Sequence, residues 1–226
     1  VVQEMKAAQD RDTRAGLQAF DRSLSGHIRF GISNAVRSFW FGLTGARFGA
    51  APGDAYTRRY FRKLDRYSAN LALMADISMM TLGGKLKFKE SLSGRLGDVL
   101  SHIYMTSAML KRYHDEGAPS ADQPLLAWAF HDSVHKIEES LSAALRNFPI
   151  RPIGWLMWAL IFPFGRRAEA PGDRLSRRVA ALLVAPGEAR GRLASGVVLT
   201  PGANNPARTM TSAAPSSFRK SASARR

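Results

Sequence analysis

An all-α fold, a helical bundle with a disordered basic C-terminal tail, is what this sequence predicts, and three observations predict it. Three long stretches, residues 55–82, 91–113 and 123–147, carry a stripe of apolar residues that recur as on one helix face, three to five positions apart in the first. Short Gly- and Pro-bearing links separate them, as expected for up-and-down helices. No stretch alternates apolar and polar residues as a half-buried strand would, and no internal repeat is present.

Taken in order, residues 1–25 read as a helix with Val1, Val2, Met5 and Ala8 on one face. Residues 26–50 are rich in Gly and aromatics, and a separate helix over 28–40 followed by irregular chain fits them. Pro52-Gly53-Asp54 breaks the chain, and Asp54 suits a helix N-cap. The first long helix then shows Tyr60, Leu64, Tyr67, Leu71, Met74, Ile77 and Leu82 on its apolar face, and Gly83-Gly84 stops it. After a basic linker (Lys85, Lys87, Lys89), Ser91 or Ser93 caps a second helix with the stripe Leu92, Leu96, Val99, Leu100, Ile103, Met109, Leu110. The third carries Leu126, Phe130, Val134, Ile137, Leu141, Leu145 and Phe148. Pro149 and Pro152 open the nearly apolar segment 153–164, and Pro171-Gly172-Asp173 starts a short helix over 174–184. These breaks divide the chain into residues 1–50, 51–150, 151–199 and 200–226. From Thr200 the chain is mostly Ser, Ala, Pro and Arg with five basic residues and no acid, a composition that does not fold.

The 226 residues are 45% hydrophobic, enough to bury a core. Absence of cysteine excludes disulfides, zinc thiolate sites, iron–sulfur clusters and cysteine nucleophiles. A formal net charge of +15 attracts anions: nucleic acid, anionic lipid or phosphate-bearing ligands. Nothing resembles a helix-turn-helix, a zinc finger or an aromatic RNA-binding sheet, so no specific nucleic acid is expected. No apolar window reaches the ~18 residues of a membrane-spanning helix, and the mixed, charged first residues do not read as a secretory signal. The chain starts on Val rather than Met and reads as if cut from something longer.

Few residues invite chemistry. His131 and His135, at i and i+4 beside Glu138 and Glu139, have a spacing that can hold a metal. They lack the Glu directly after the first His that a zinc protease helix needs, and no metal site is assigned. Asp115, Glu116 and Asp132 read as ordinary surface carboxylates. Gly94 and Gly97 sit inside a helix, where each costs about 1 kcal/mol against Ala, so close packing of a neighbouring helix is the simplest reason for them. Arg58, Arg59, Arg62, Lys63 and Arg66 could grip phosphate; a solvated face opposite Tyr60, Leu64 and Tyr67 is the simpler account. The apolar segment 153–164 holds two tryptophans among aliphatics and is flanked by Arg151, Arg166 and Arg167, a composition suited to a membrane interface or to burial. Trp155, Trp158, Phe162, Arg166 and Arg167 are the candidate membrane contacts.

Several motifs resemble the C-terminal region of the long bacterial acyl-coenzyme A dehydrogenase of fatty-acid β-oxidation. They are Asn34-Ala35-Val36-Arg37-Ser38-Phe39-Trp40, the run from Tyr60-Phe61-Arg62-Lys63-Leu64 through Asn70-Leu71-Ala72-Leu73, Leu82-Gly83-Gly84-Lys85-Leu86-Lys87, Leu92-Ser93-Gly94-Arg95-Leu96-Gly97-Asp98, and Arg146-Asn147-Phe148-Pro149. The resemblance runs over about residues 1–206; after Pro206 the tail departs from it and reads as a foreign or frame-shifted ending. It implies a protein that oxidises acyl-CoA to trans-2-enoyl-CoA with bound flavin adenine dinucleotide (FAD), a carboxylate removing the α proton while the β hydride passes to the flavin. It also implies an electron-transfer acceptor, a homodimer and a cytoplasmic location; the apolar segment 153–164 with its arginines could bring such an enzyme to the anionic surface of the inner membrane. The catalytic carboxylate and the flavin- and CoA-binding residues of such a protein would precede Val1, so no catalytic or cofactor-binding residue is assigned in this chain. Residues 1–50 would complete the dehydrogenase's own helical bundle, and 55–147 would add a further helical layer. The alternatives are a stand-alone helical module that binds a membrane or a partner without catalysis, and a nucleic-acid binder driven by charge alone.

Overall fold

A computed structural model describes residues 13–48 and 51–194, and every regular element among them is helical. They are α1 (Thr13–Thr44), α2 (Arg58–Leu82), α3 (Glu90–Asp115), α4 (Gln123–Arg146), α5 (Arg151–Ile161), α6 (Asp173–Val184) and α7 (Glu188–Ala194). The all-α expectation holds, and so do the three long helices. The expected helix over residues 1–12 and the tail from Thr200 lie outside the described residues.

The chain forms two compact units. The first contains residues up to Ala108 and Ser133–Ala168: α1, α2, most of α3, the second half of α4, and α5. Its core is Tyr60, Leu64, Tyr67, Leu73 and Met74 of α2, Val99 of α3, Val134, Ile137, Leu141 and Leu145 of α4, and Met157 and Ile161 of α5, all buried. The second contains Met109–Asp132 and the described residues from Glu169 to Ala194: the last turns of α3, the first half of α4, α6 and α7. Its buried apolar residues include Leu110, Leu126, Phe130 and Val179.

Local chemistry sets the helix ends. Asp54 accepts from the backbone N–H of Thr57 at 2.7 Å and from its hydroxyl, so it closes the turn ahead of α2, while the residue at the helix N-cap is Thr57 rather than the expected Asp54. Gly83 ends α2 with φ at +49°, a conformation that only glycine adopts freely. The basic linker beyond it is a 3₁₀ helix over Gly83–Phe88. Neither Ser91 nor Ser93 caps α3, which starts earlier at Glu90, an acid well placed at a helix N-terminus. Pro152 opens α5 and Pro163 follows its end, each where proline fits.

Two expectations need correction. Residues 13–44 form one helix rather than two: α1 packs along α2 and α5, which outweighs the roughly 1 kcal/mol that a glycine such as Gly26 or Gly31 costs a helix interior. A Cβ on Gly94 or Gly97 would meet nothing within 4 Å, so close packing does not explain those glycines. The close approaches lie elsewhere. A Cβ on Gly42 of α1 would come 3.0 Å from the Pro163 ring, and one on Gly154 of α5 would come 2.9 Å from the Leu145 carbonyl oxygen.

Candidate functional site

The most connected side chain in the first unit is Glu138 of α4, fully buried at 0% exposure. One carboxylate oxygen accepts from the Tyr67 hydroxyl at 2.8 Å. The other accepts from the backbone N–H groups of Arg167 and Ala168, both at 2.9 Å. A buried carboxylate persists only when its lone pairs are satisfied, and here three donors satisfy them. Burial first, and then the Glu138 charge, push the Tyr67 hydroxyl far above its ordinary value. Arg66 is 7% exposed; it donates to the carbonyl of Ile161, the last residue of α5, at 3.1 Å and lies over the Tyr67 ring. A cation at a helix C-terminus meets the negative end of the helix dipole. Glu138, Tyr67 and Arg66 thus tie α2, α4, the end of α5 and the strap after it into one polar knot.

The residues expected to face a membrane differ in exposure. Trp155 is 71% exposed, and Leu156 and Phe164 are exposed beside Arg151, Arg166 and Arg167. Trp158 is half-buried against the Phe162 ring, with centroids 5.3 Å apart. Phe162 is 2% exposed, so it is a core residue and not a membrane contact. It caps the end of α5, where the chain turns inward through Pro163.

Helix α1 turns its small and polar residues inward. It buries Asn34, Ser38 and Gly42 at a spacing of four and exposes Ile32, Val36, Phe39, Trp40 and Leu43. The small residues let α1 approach its neighbours, and Asn34 donates to Asp76 of α2 at 3.2 Å.

The second unit holds an open apolar groove of about 460 Å³, lined in part by Met109, Leu125, Trp128, Val179 and Leu183. Its charged groups are already paired: Arg192 forks onto Asp122 at 2.8 and 3.0 Å, and Arg112 meets Glu116 at 2.8 Å. Sequence could not show this groove, because its walls come from segments some 50 to 80 residues apart, as the Trp128–Ser176 bond at 3.0 Å illustrates.

The paired histidines have neighbours of their own. His135 Nδ1 lies 3.1 Å from the Ala168 carbonyl, and His131 stands edge-on to Phe130. Among the described residues no group of three His, Asp or Glu could hold a metal ion. Asp115 is paired with Lys111 at 2.7 Å. The basic start of α2 is not a simple solvated face: Arg66 is buried, and the Arg59 guanidinium lies against both Tyr56 and Tyr60, 4.7 and 4.8 Å from the ring centres.

These features define an all-helical module with large uncovered apolar faces and a basic surface. The chain belongs to the family described as acyl-CoA dehydrogenase, C-terminal, bacterial type, which matches residues 1–225. The match passes Pro206 and takes in the tail, which corrects the expectation that the resemblance ends there. No solved structure matches the chain. Among the described residues no helix is long and apolar enough to cross a membrane.

Proposed function

We propose that this chain is the C-terminal part of an FAD-dependent acyl-CoA dehydrogenase that converts acyl-CoA to trans-2-enoyl-CoA in fatty-acid β-oxidation, and that the part itself positions the enzyme rather than performing the chemistry. The family match supports the first half. The apolar groove of the second unit does not fit the flavin. The one apolar groove described above has its charged groups committed to each other, and a dinucleotide needs donors free for its phosphates. Removal of the α proton by a carboxylate, and hydride transfer to FAD, would fall to residues outside this chain. Its local tasks would then be two. The stripe Ile32, Val36, Phe39, Trp40 and Leu43 of α1 suits docking against the dehydrogenase body or a second subunit. The outer face of α5 suits attachment to an anionic membrane surface, where long acyl-CoA and the electron acceptor meet the enzyme.

The observation that carries the membrane task is Trp155 and Leu156, side by side on the outside of a helix flanked by arginines. Interfacial aromatics with adjacent cations bind headgroup regions of anionic bilayers. Trp155→Ala plus Leu156→Ala is expected to weaken sedimentation with phosphatidylglycerol vesicles at least tenfold without changing the helical circular dichroism signal. Parent-like vesicle binding by that double variant would remove α5 as the anchor.

A further inference from the structure

The basic start of α2 contains more than a charged face. Arg59, Lys63 and Arg66 recur at i, i+4 and i+7, so they share one side of the helix. None of them has a carboxylate within ion-pairing distance among the described residues. Glu138, whose charge reaches Lys63, has its oxygens taken by Tyr67 and by two backbone N–H groups. Arg66 is more than nine-tenths buried; its Nε has no hydrogen-bond partner, and its one bond goes to a neutral carbonyl. A buried cation without a counter-charge is costly, and such a site gains from an anion supplied from outside. Arg59 is held for that task. Its guanidinium lies against the rings of Tyr56 and Tyr60 and donates to the Tyr60 hydroxyl at 3.0 Å, so it loses little freedom on binding. Lys63 reaches solvent between the two arginines. Partial burial, and then the Arg59 charge, hold its ammonium below the ordinary lysine value, with Arg66 adding to this and Glu138 only partly offsetting it.

We propose that Arg59 and Lys63, backed by Arg66, form a binding site for a phosphate-bearing anion. Arg59 lies in the first turn of α2, where the helix dipole is also positive. Two sources carry that chemistry. One is the headgroup of an anionic phospholipid, which would place the site beside α5 at a membrane and rests on the membrane reading above. The other is a soluble phosphate or pyrophosphate group, which does not.

The test uses the full 226-residue chain and two variants that each remove two positive charges. Arg59→Gln plus Lys63→Gln alters the site. Arg174→Gln plus Arg178→Gln removes the same charge from exposed positions on α6. Binding of inorganic pyrophosphate is read by calorimetry and binding of phosphatidylglycerol vesicles by sedimentation, with melting temperature as the check on folding. The expected result is a loss of tenfold or more in the site variant for at least one probe and less than twofold in the α6 variant. Loss with vesicles alone names the lipid source. Loss with pyrophosphate names the soluble one, and it stands even if Trp155→Ala plus Leu156→Ala leaves vesicle binding intact. Equal losses in the two variants would show that net charge alone attracts the probes, and no loss in the site variant for either probe would overturn the site. Should the double variant melt early, Lys63→Glu alone, at a position that reaches solvent, carries the same expectation.

Discussion

Helices α1 and α2 are neighbours, both rich in apolar residues, and they solve opposite problems. Helix α2 turns its large residues inward: Tyr60, Leu64, Tyr67, Leu73 and Met74 are all buried. Helix α1 turns its small ones inward, burying Asn34, Ser38 and Gly42, and leaves Val36, Phe39 and Trp40 outside, the last 53% exposed. Apolar periodicity marks the stripe of a helix that needs cover, but it does not say whether the cover lies within the same chain. For α2 it does. For α1 the stripe stays exposed among the described residues, and the small residues facing α2 and α5 permit the close approach that holds α1 in place.

The contrast can be broken most decisively by truncation. Leu73→Ala in α2 is expected to cost about 2–5 kcal/mol, the range for deleting a buried leucine side chain. Val36→Ala in α1 is expected to stay within about 0.5 kcal/mol in the isolated chain, as surface changes do. Urea unfolding measures both, and equal losses would end the distinction between the two helices.

A smaller effect sharpens the packing side of the contrast. Gly42→Val puts methyl groups where a Cβ alone already stands 3.0 Å from Pro163, so a loss of about 1–3 kcal/mol is expected from overpacking. Gly94→Ala and Gly97→Ala in α3 meet open space and should each raise stability by up to about 1 kcal/mol. Lower melting temperatures for the α3 pair would mean that those glycines are needed for a contact with another molecule.

The last effect vanishes at neutral pH. The Tyr67 and Tyr60 hydroxyls of α2 are raised from the ordinary 10.0, chiefly by burial, Tyr60 to about 12 and Tyr67 further. A raised value means that the folded state favours the protonated hydroxyl. Stability is therefore complete below pH 10 and falls as pH rises from 10 toward 12, where the unfolded chain sheds these protons first. Tyr67→Phe should flatten that alkaline decline in a series of thermal melts. A parent-like decline in the variant would shift its origin away from Tyr67.

Much of this architecture was legible in the sequence because it depends on local chemistry. Regular spacing of Leu126, Phe130, Val134, Ile137 and Leu141 announces α4, and Asp54 and Gly83 mark the limits of α2 through cap and turn preferences that belong to single residues. Other features depend on what meets what. Glu138 looks like any helix-surface acid until Tyr67, 71 residues away, donates to it. Arg66 and Phe162 look like a solvated cation and a membrane-facing ring until the end of α5 brings one against a carbonyl and buries the other. The arginine cluster was visible as a run, yet its side chains divide between stacking, burial and solvent in a way that spacing alone does not encode.

Glu138 also bears on how the chain survives digestion. Arg166-Arg167 is a dibasic pair on the outside of the molecule, the kind of sequence that trypsin-like proteases prefer. Such enzymes bind their target as an extended strand, which requires free backbone donors. Here the N–H groups of Arg167 and Ala168 are already given to a buried carboxylate. The scissile bond is exposed in side chain but withheld in main chain, so cutting there awaits local opening of the strap. One internal acid thereby shields the most basic part of the strap from the enzymes best suited to cut it.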